Sequence, residues 1–267
     1  MIRALWTAAS GMKAQQLNVD VISNNLSNVN TTGYKKQRVE FKDLLYETLE
    51  QSDLIDGMGK PVNLQVGHGV TPSATVTAYT MGNLERTESP LDFAINGEGF
   101  FTVRDHNGEL IYTRDGSLKV SISNGEAHLV TSDGYAVLDE GDSEIILTDI
   151  NVEELSVNSL GELTYIDENQ IPQPLGQNFK IVRFPNREGL LNIGSNFVKP
   201  SAASGEPVSE IELQQRSSIM QRFVESSNVQ VVEEMVKLIV AQRAYEVNSK
   251  SVQTADEMLS MANNLRR

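Results

Sequence analysis

Apolar residues recur at alternating steps of three and four near both ends of this 267-residue chain, and this pattern constrains its fold most. Near the N-terminus all but Gln15 are apolar in the series Leu5, Ala8, Met12, Gln15, Val19, Ile22, Leu26, Val29. Near the C-terminus all but Asn248 are apolar in the series Leu238, Ala241, Tyr245, Asn248, Val252, Ala255, Leu259, Ala262. This spacing is typical of helices that pack in coiled-coil fashion.

Both predicted helices are long, and helices of this length need a partner surface to cover their apolar stripes. They would cover residues 3–29 and 229–265, with Ser227 or Asn228 capping the second, and would run roughly 40 Å and 55 Å. Globular helices average about 11–12 residues, so a β domain of ordinary size could not cover these two. They therefore need each other or other chains. Periodicity alone leaves a helical hairpin within one chain and pairing between chains equally open.

Between the helices the pattern changes to short apolar runs separated by glycine turns, which is typical of an all-β domain. The predicted strands are Phe93–Ile95, Phe100–Val103, Leu118–Ile122, Ile145–Leu147, Leu163–Ile166 and Phe179–Phe184. The sequence therefore predicts an α+β fold, with long N- and C-terminal helices forming a coiled-coil-type layer and a central all-β domain. The expected order is an N-terminal assembly helix, an extended connector with a flexible stretch at 50–63, the β domain and a C-terminal assembly helix, at 1–36, 37–75, 76–225 and 226–267.

Charge is distributed unevenly along the chain. The net charge is −14, yet residues 1–36 carry four bases against one acid and residues 226–267 carry five of each. The central residues therefore hold −17. Such a chain is a poor candidate for binding nucleic acid, which requires a basic face. Ends that lack strong self-repulsion, beside an acidic middle, are the arrangement expected if the ends assemble and the middle faces solvent.

No residue pattern favours catalysis, a cofactor or a metal. The chain has no cysteine, and the three histidines, at positions 68, 106 and 128, do not stand at metal-ligand spacing. Gly97-Glu98-Gly99 lacks the third glycine and the following helix of a dinucleotide site, and it is interpreted as a tight turn. The N-terminus does not have the pattern of a cleaved secretory signal, and no apolar run approaches the length of a membrane span.

Asparagines crowd the end of the first helix and interrupt the C-terminal seam at Asn248. Helix fraying would explain the first group, whereas amides that hydrogen-bond across a helical interface and fix its register would explain both. The second interpretation gives a candidate assembly interface made of seam residues and these amides. It comprises Leu5, Met12, Val19, Ile22, Asn24, Asn25, Leu26, Asn28, Val29, Leu238, Arg243, Tyr245, Asn248, Val252 and Leu259.

Motifs at both ends and in the middle resemble those of flagellar rod and hook proteins. The first runs from Ser23 to Lys35, and the central ones are Ala94–Phe101 and Tyr112–Ser117. The C-terminal ones are Ser227–Met235 and Ile239–Glu246. Together they span nearly the whole chain. Its length and the segment Leu64–Val70 are most similar to the distal-rod class, with a proximal-rod member of similar length as the alternative within the family.

This resemblance implies a structural subunit that stacks helically with copies of itself into the distal rod, the shaft that passes torque from motor to hook. It implies a place in the basal body, within the rod that spans the periplasm. It implies export through the flagellar type III apparatus without a cleaved signal peptide. The implied neighbours are proximal-rod proteins, the hook protein, and the peptidoglycan and outer-membrane ring proteins. We expect the terminal helices to fold on assembly. The competing interpretation is a soluble β-domain enzyme or binding protein with a helical hairpin.

Overall fold

The computed structural model describes residues 2–50, 63–123, 125–147, 152–166, 172–212 and 216–264, and it shows an α+β protein. The long helices are α1 (Ile2–Ser27) and α2 (Val231–Asn264), which end within a few residues of their predicted limits. Short 3₁₀ helices cover Val152–Glu154, Arg187–Gly189 and Glu210–Glu212. The strands are β1 (Gln37–Asp43), β2 (Tyr46–Glu50), β3 (Leu64–Gly67), β4 (Val70–Thr77), β5 (Leu84–Arg86), β6 (Phe93–Asn96), β7 (Phe100–Arg104), β8 (Leu110–Thr113), β9 (Lys119–Ser123), β10 (Glu126–Val130), β11 (Ala136–Val137), β12 (Leu155–Val157), β13 (Glu162–Ile166), β14 (Pro172–Asn178), β15 (Ile181–Arg183), β16 (Leu191–Gly194), β17 (Phe197–Lys199), β18 (Val208–Ser209), β19 (Ser218–Gln221) and β20 (Phe223–Glu225).

The chain folds as two compact units, and each takes segments that are distant in sequence. The helical unit consists of Met1–Ser27, Gln37–Thr77 and Gln230–Arg267. The β unit consists of Asn28–Lys36 and Ala78–Val229. The nine residues that follow α1 therefore belong to the β unit, although they precede the hairpins of the helical unit in the sequence.

In the helical unit, α1 packs along α2 of the same chain. All seven seam positions that lie in α1 are buried or half-buried, and so are six of the eight on α2. Three of the four buried seam positions are small, namely Ala8, Ala241 and Ala255, which lets the two backbones come close. The seams thus cover each other within one chain. This removes the physical reason for expecting the terminal helices to fold only on assembly.

Gly11 of α1 and Asn248 of α2 approach each other closely between the two helices. A Cβ atom added to Gly11 would lie 2.8 Å from Asn248 Nδ2, which is shorter than a normal van der Waals contact. Glycine in a helix interior costs about 1 kcal/mol relative to alanine. Here that cost makes room for a polar side chain within an otherwise apolar seam.

Two antiparallel strand pairs complete the helical unit, within the segment that the sequence assigns to a connector. β1 pairs with β4, and β2 pairs with β3. The turn between β3 and β4 contains Gly69, whose φ of 110° is disfavoured for other residues. A side chain there would also collide with Ser10 of α1, since its Cβ would lie 2.1 Å from Ser10 Oγ. Residues 51–62, where most of the predicted flexible stretch falls, lie outside the described residues.

The β unit is built on a nine-stranded sheet, with strand order β16-β17-β8-β7-β11-β10-β9 and with β15 and β18 branching from β7. Its main core is apolar, and in it the Phe179 ring contacts the rings of Phe93 and Phe101. The strand predictions at 93–95, 100–103, 118–122 and 163–166 are confirmed to within a few residues. The prediction at 145–147 is wrong, because that segment makes only an isolated bridge, between Ile146 and His128.

The predicted start of α2 also needs correction. The helix begins at Val231, after the predicted caps Ser227 and Asn228. The Asn228 amide is used elsewhere in the β unit. It accepts a hydrogen bond from the Lys36 backbone N–H at 2.8 Å and donates to the Ala78 carbonyl at 2.8 Å.

We predict that Gly11→Ala gains stability mainly when Asn248 is shortened. In the Asn248→Ala background the variant should recover about 1 kcal/mol of helix propensity. With Asn248 present, displacement of its amide should remove part or all of that gain, giving a coupling energy of about 0.5 kcal/mol or more. A double-mutant cycle by urea unfolding measures it, and additive effects would contradict the proposed contact.

Candidate assembly surfaces and their buried clamps

The residues of the predicted assembly interface separate into covered and exposed sets. Ile22 and Asn25 are buried. Asn24, Arg243 and Tyr245 are exposed. The remaining ten are half-buried: Leu5, Met12, Val19, Leu26, Asn28, Val29, Leu238, Asn248, Val252 and Leu259. Most of the predicted seam therefore holds α1 against α2, and only a minority of its residues face outward.

Asn25 makes a buried polar clamp in the helical unit. Its side chain is 1% exposed, and its Nδ2 donates to the Gln37 carbonyl at 2.8 Å and to Glu234 Oε2 at 3.2 Å. Its Oδ1 accepts from the Gln37 backbone N–H at 2.9 Å. The other Glu234 oxygen accepts from Lys237 Nζ at 2.7 Å. One amide thus joins the last turn of α1 to β1 and to the first turn of α2.

A second clamp, in the β unit, centres on the buried carboxylate of Glu225. Oε1 accepts from Lys35 Nζ at 2.5 Å and from the Gly82 backbone N–H at 2.8 Å. Oε2 accepts from Arg114 Nε at 2.7 Å. The remaining Arg114 nitrogens donate to the carbonyls of Ile95, Gly97 and Gly99. A buried charge set of this kind is stable only when each group has such partners.

Burial and neighbouring charges together lower the pKa values of Lys35 and Glu225, the two titratable groups that face each other in this clamp. The pKa of Lys35 is lowered to about 8, first because burial desolvates the ammonium group and second because Arg114 is near. Burial raises the pKa of Glu225, but the positive charges of Arg114 and Lys35 together act more strongly, and the pKa lies below its ordinary value. Glu225 is therefore a carboxylate in the folded protein.

The loop after α1 reaches the same cluster through Gly33. Its backbone N–H donates to the Glu225 carbonyl at 2.7 Å. Its φ is 69°, and a Cβ atom would lie 2.9 Å from the Asp115 nitrogen, so both conformation and space require glycine. Asn196 Nδ2 donates to the neighbouring Thr32 carbonyl at 2.7 Å. The sequence predicts an assembly helix over residues 1–36. In the structure Asn28–Lys36 belong to the β unit, where these contacts hold the loop.

A second apolar stripe on α2 lies opposite the seam. At 3.6 residues per turn its positions centre roughly 180° from the positions that contact α1. These side chains are between 50% and 75% exposed in the free subunit. They are Val232, Met235, Val236, Ile239, Val240 and Val247. Helices that are apolar on two opposite faces are typical of elements covered on both sides.

Among the residues described, no group of three or more acidic or histidine side chains is placed to hold a metal ion. Within the same residues, neither long helix is apolar enough over a sufficient length to cross a membrane. The buried polar groups at Asn25 and Glu225 are satisfied by protein partners, as structural groups are.

Comparison with known proteins decides the family. Three family profiles match: "Flagella basal body rod protein" at 5–35, "Flagellar hook protein FlgE/F/G D1 domain" at 94–165 and "Flagellar basal body rod FlgEFG protein C-terminal" at 220–265. The flagellar basal-body rod protein FlgG of Borreliella burgdorferi is 47% identical over the full length of both chains. The proteins of that name in Caulobacter vibrioides and Bacillus subtilis are 40% and 36% identical, with at least 99% of each chain covered.

The chain belongs to the flagellar basal-body rod protein family. It is a structural subunit of the rod, located in the flagellar basal body. None of these findings supports the competing interpretation of a soluble enzyme.

The three regions that match this rod family meet at the Glu225 clamp. Lys35 closes the first region, Arg114 lies in the second and Glu225 lies in the third. The sequence gives no direct sign that these charges pair, since Lys35 and Glu225 are 190 positions apart. The usable signal covered two of the three charges: Lys35 and Arg114 stand inside motifs and within two residues of Gly33 and Gly116, whereas Glu225 lies outside the motifs.

We predict that Asn25→Ala lowers the free energy of unfolding by about 1–3 kcal/mol, because it leaves buried groups of Gln37 and Glu234 with fewer partners. Ser23→Ala, an exposed position on the same helix, should change it by no more than about 0.5 kcal/mol. Urea unfolding of both variants tests this. Equal effects would show that the Asn25 clamp contributes nothing specific.

We predict that Lys35 makes the free energy of unfolding increase with pH in the alkaline range. Its pKa is about 8 in the folded chain and 10.5 in the ordinary state, so between these values the unfolded chain holds a proton that the folded chain has released. The free energy of unfolding should therefore increase with pH across this window, by at most about 1.4 kcal/mol per pH unit.

Urea unfolding from pH 7 to 10.5 measures that slope. Lys35→Met should remove the rise, while Lys42→Met, at an exposed position, should retain it. A slope that survives in Lys35→Met would assign it to other groups.

Proposed function

We propose that this chain is a distal-rod subunit that polymerises helically through a coiled-coil-type layer of its terminal helices and so transmits torque from motor to hook. The observation that carries the proposal is the second apolar face of α2. It is exposed in the single chain, it lies opposite the face covered by α1, and it extends over four turns from Val232 to Val247. Solvent-exposed apolar stripes of this size mark protein interfaces.

Magnitudes favour many simultaneous contacts over a single dimer contact. Complete burial of one such side chain contributes about 1.5–3 kcal/mol, and these side chains are already partly covered, so each would add about 1 kcal/mol. The stripe as a whole would add about 6 kcal/mol. Association itself costs about 4–15 kcal/mol in lost freedom of motion. The free energy of association through one such contact would thus be close to zero, whereas a subunit that contacts several neighbours at once would be bound stably.

In the polymer the stripe would be buried by helices of neighbouring copies. α2 would then lie between its own α1 and a neighbour, which makes the terminal helices the layer predicted from the sequence. Arg243, an exposed member of the predicted interface, lies on the outward side of α2 and would meet a neighbour directly. A head-to-tail contact that does not close gives an open helical filament.

The acidic middle supports the same arrangement. The β unit and the hairpins hold the chain's excess of negative charge, and like charges are best tolerated where solvent separates them. The boundaries predicted at 36, 75 and 225 express this division as assembly helices, connector and β domain. We propose further that the hairpins of residues 37–75 contact neighbouring copies and stiffen the rod.

Distal placement rests on similarity. Relatives named FlgG match over the whole chain, and the Leu64–Val70 segment is most similar to that class. The proposed neighbours are proximal-rod proteins, the hook protein and the surrounding peptidoglycan and outer-membrane ring proteins, with export by the type III route and no cleaved signal peptide. A proximal-rod subunit is the second candidate, favoured only by similar length.

We predict that a negative charge on the second face prevents assembly without unfolding the subunit. Val236→Glu should abolish polymers of the concentrated full-length protein in sedimentation and negative-stain microscopy, because the carboxylate would have to be buried without a partner. Its helix content and unfolding midpoint should stay unchanged, since Val236 is exposed in the subunit.

Ile122→Glu in the β unit is the matched control, because it makes the same change in charge at a position that is 79% exposed. It should leave polymerisation intact. The same pair can be compared in cells that lack their own copy, where only Val236→Glu should abolish swimming. Normal assembly of Val236→Glu would refute the proposed interface.

A further inference from the structure

Trp6 is the only tryptophan of the chain, and it lies near the start of α1. Its side chain is 72% exposed on α1, on the side that faces away from α2. Tryptophan is the residue type most enriched among the side chains that dominate binding energy at interfaces. An exposed tryptophan near the start of an assembly helix needs a partner surface.

The helical unit contains a groove that fits such a side chain. It lies between α1 and α2, has a volume of about 440 Å³ and is lined by Gln16, Val19, Gln242, Tyr245 and Glu246. This volume lies within the range of about 300–1,000 Å³ that holds small organic groups. Val19 and the Tyr245 ring offer apolar walls, and Tyr245 can pack edge-to-face on an indole.

The polar atoms of the groove also match tryptophan. A buried indole N–H needs an acceptor, and the side-chain oxygens of Gln16, Gln242 and Glu246 supply candidates. Charge is complementary as well. Lys13 lies two turns after Trp6 on the same exposed face of α1, while Glu246 is negative. An aliphatic anchor would use the walls of this groove but could not donate a hydrogen bond to its side-chain oxygens.

Trp6 cannot fill the groove of its own chain. The groove contacts α1 at residues 16–19, which lie roughly 17 Å further along the helix than Trp6. Anchor and groove are thus at different heights of the same helix. A contact between two copies joins different surfaces, so it repeats from copy to copy and continues in one direction.

We propose that Trp6 of one subunit inserts into the α1–α2 groove of a second copy of this chain, and that this contact sets the axial displacement between them. The inference rests on the proposed function, polymerisation, and specifies a contact within it. Each subunit is then both donor of an anchor and owner of a groove. The contact is additional to the second apolar face of α2, which does not include the groove residues.

A single tryptophan makes the first test direct. Trp6 emission should shift to shorter wavelength when the full-length protein polymerises, because the indole leaves water. Trp6→Ala should raise the critical concentration for assembly at least about 10-fold, as expected for a central anchor. Ile2→Ala, an exposed apolar residue one turn earlier, should raise it less.

Crosslinking then identifies the groove, in a chain that has no cysteine of its own. Ala9→Cys is placed beside Trp6, and Gln242→Cys is placed in a separate batch of protein. Mixed polymers are treated with a short bismaleimide and analysed for joined peptides by mass spectrometry. Ala9→Cys should join Gln242→Cys at several-fold higher yield than Thr254→Cys, which lies roughly 18 Å further along α2.

The outcomes separate the two proposals. Polymers with an unshifted Trp6 emission, or without preferential crosslinking to Gln242→Cys, would overturn the anchor and leave polymerisation standing. A full-length chain that forms no polymer even when rod fragments are added as seeds would overturn the proposed function, and the anchor with it. A shifted emission together with the preferred crosslink would establish the contact.

Discussion

The pairing of α1 with α2 is the interaction on which the rest of the structure depends. It requires the two ends of the chain to meet, and small residues in the seam allow the helices to come close. The Asn25 amide, bonded to Gln37 and Glu234, then fixes the register in which they meet. Because the pair is complete within one chain, polymerisation does not have to create the helices' first contact. It has only to use the surfaces that this pairing leaves outside.

The second constraint is the charge cluster at Glu225, where the sequence motifs of the family come together. Lys35, Arg114 and Glu225 are costly to bury, and their pairing secures the loop after α1 within the β unit. These motifs serve the subunit's own fold. In the proposed polymer, recognition between subunits falls to residues outside the buried clamps, on exposed helical faces. Motifs that identify a polymer-forming family therefore need not lie at its polymer contacts.

The sequence was sufficient for the elements and insufficient for their partners. The three–four spacing predicted both helices, and short apolar runs between glycine turns predicted β6, β7 and β13. The same spacing suits any apolar partner, so it could not distinguish the chain's own helix from another copy's. Val232, Met235, Val236 and Ile239 lie beside the start of the C-terminal seam in the sequence, yet counting 100° per residue places Ile239 roughly 200° from Ala241, on the opposite side of the helix. The Asn228 and Lys35 contacts could not be predicted, because they join residues more than 140 positions apart.

A helix that is apolar on two opposite sides has a consequence for the life of the subunit before it is incorporated. Free copies expose an apolar surface, and in water such surfaces promote non-specific aggregation. The net charge of −14 opposes this, since equally charged copies repel each other at a distance. Salt weakens that repulsion, whose range falls from about 8 Å at physiological ionic strength to about 3 Å in molar salt. The acidic middle would thus protect free subunits against aggregation to an extent that depends on ionic strength. The packing of subunits in the assembled rod would not depend on ionic strength in this way.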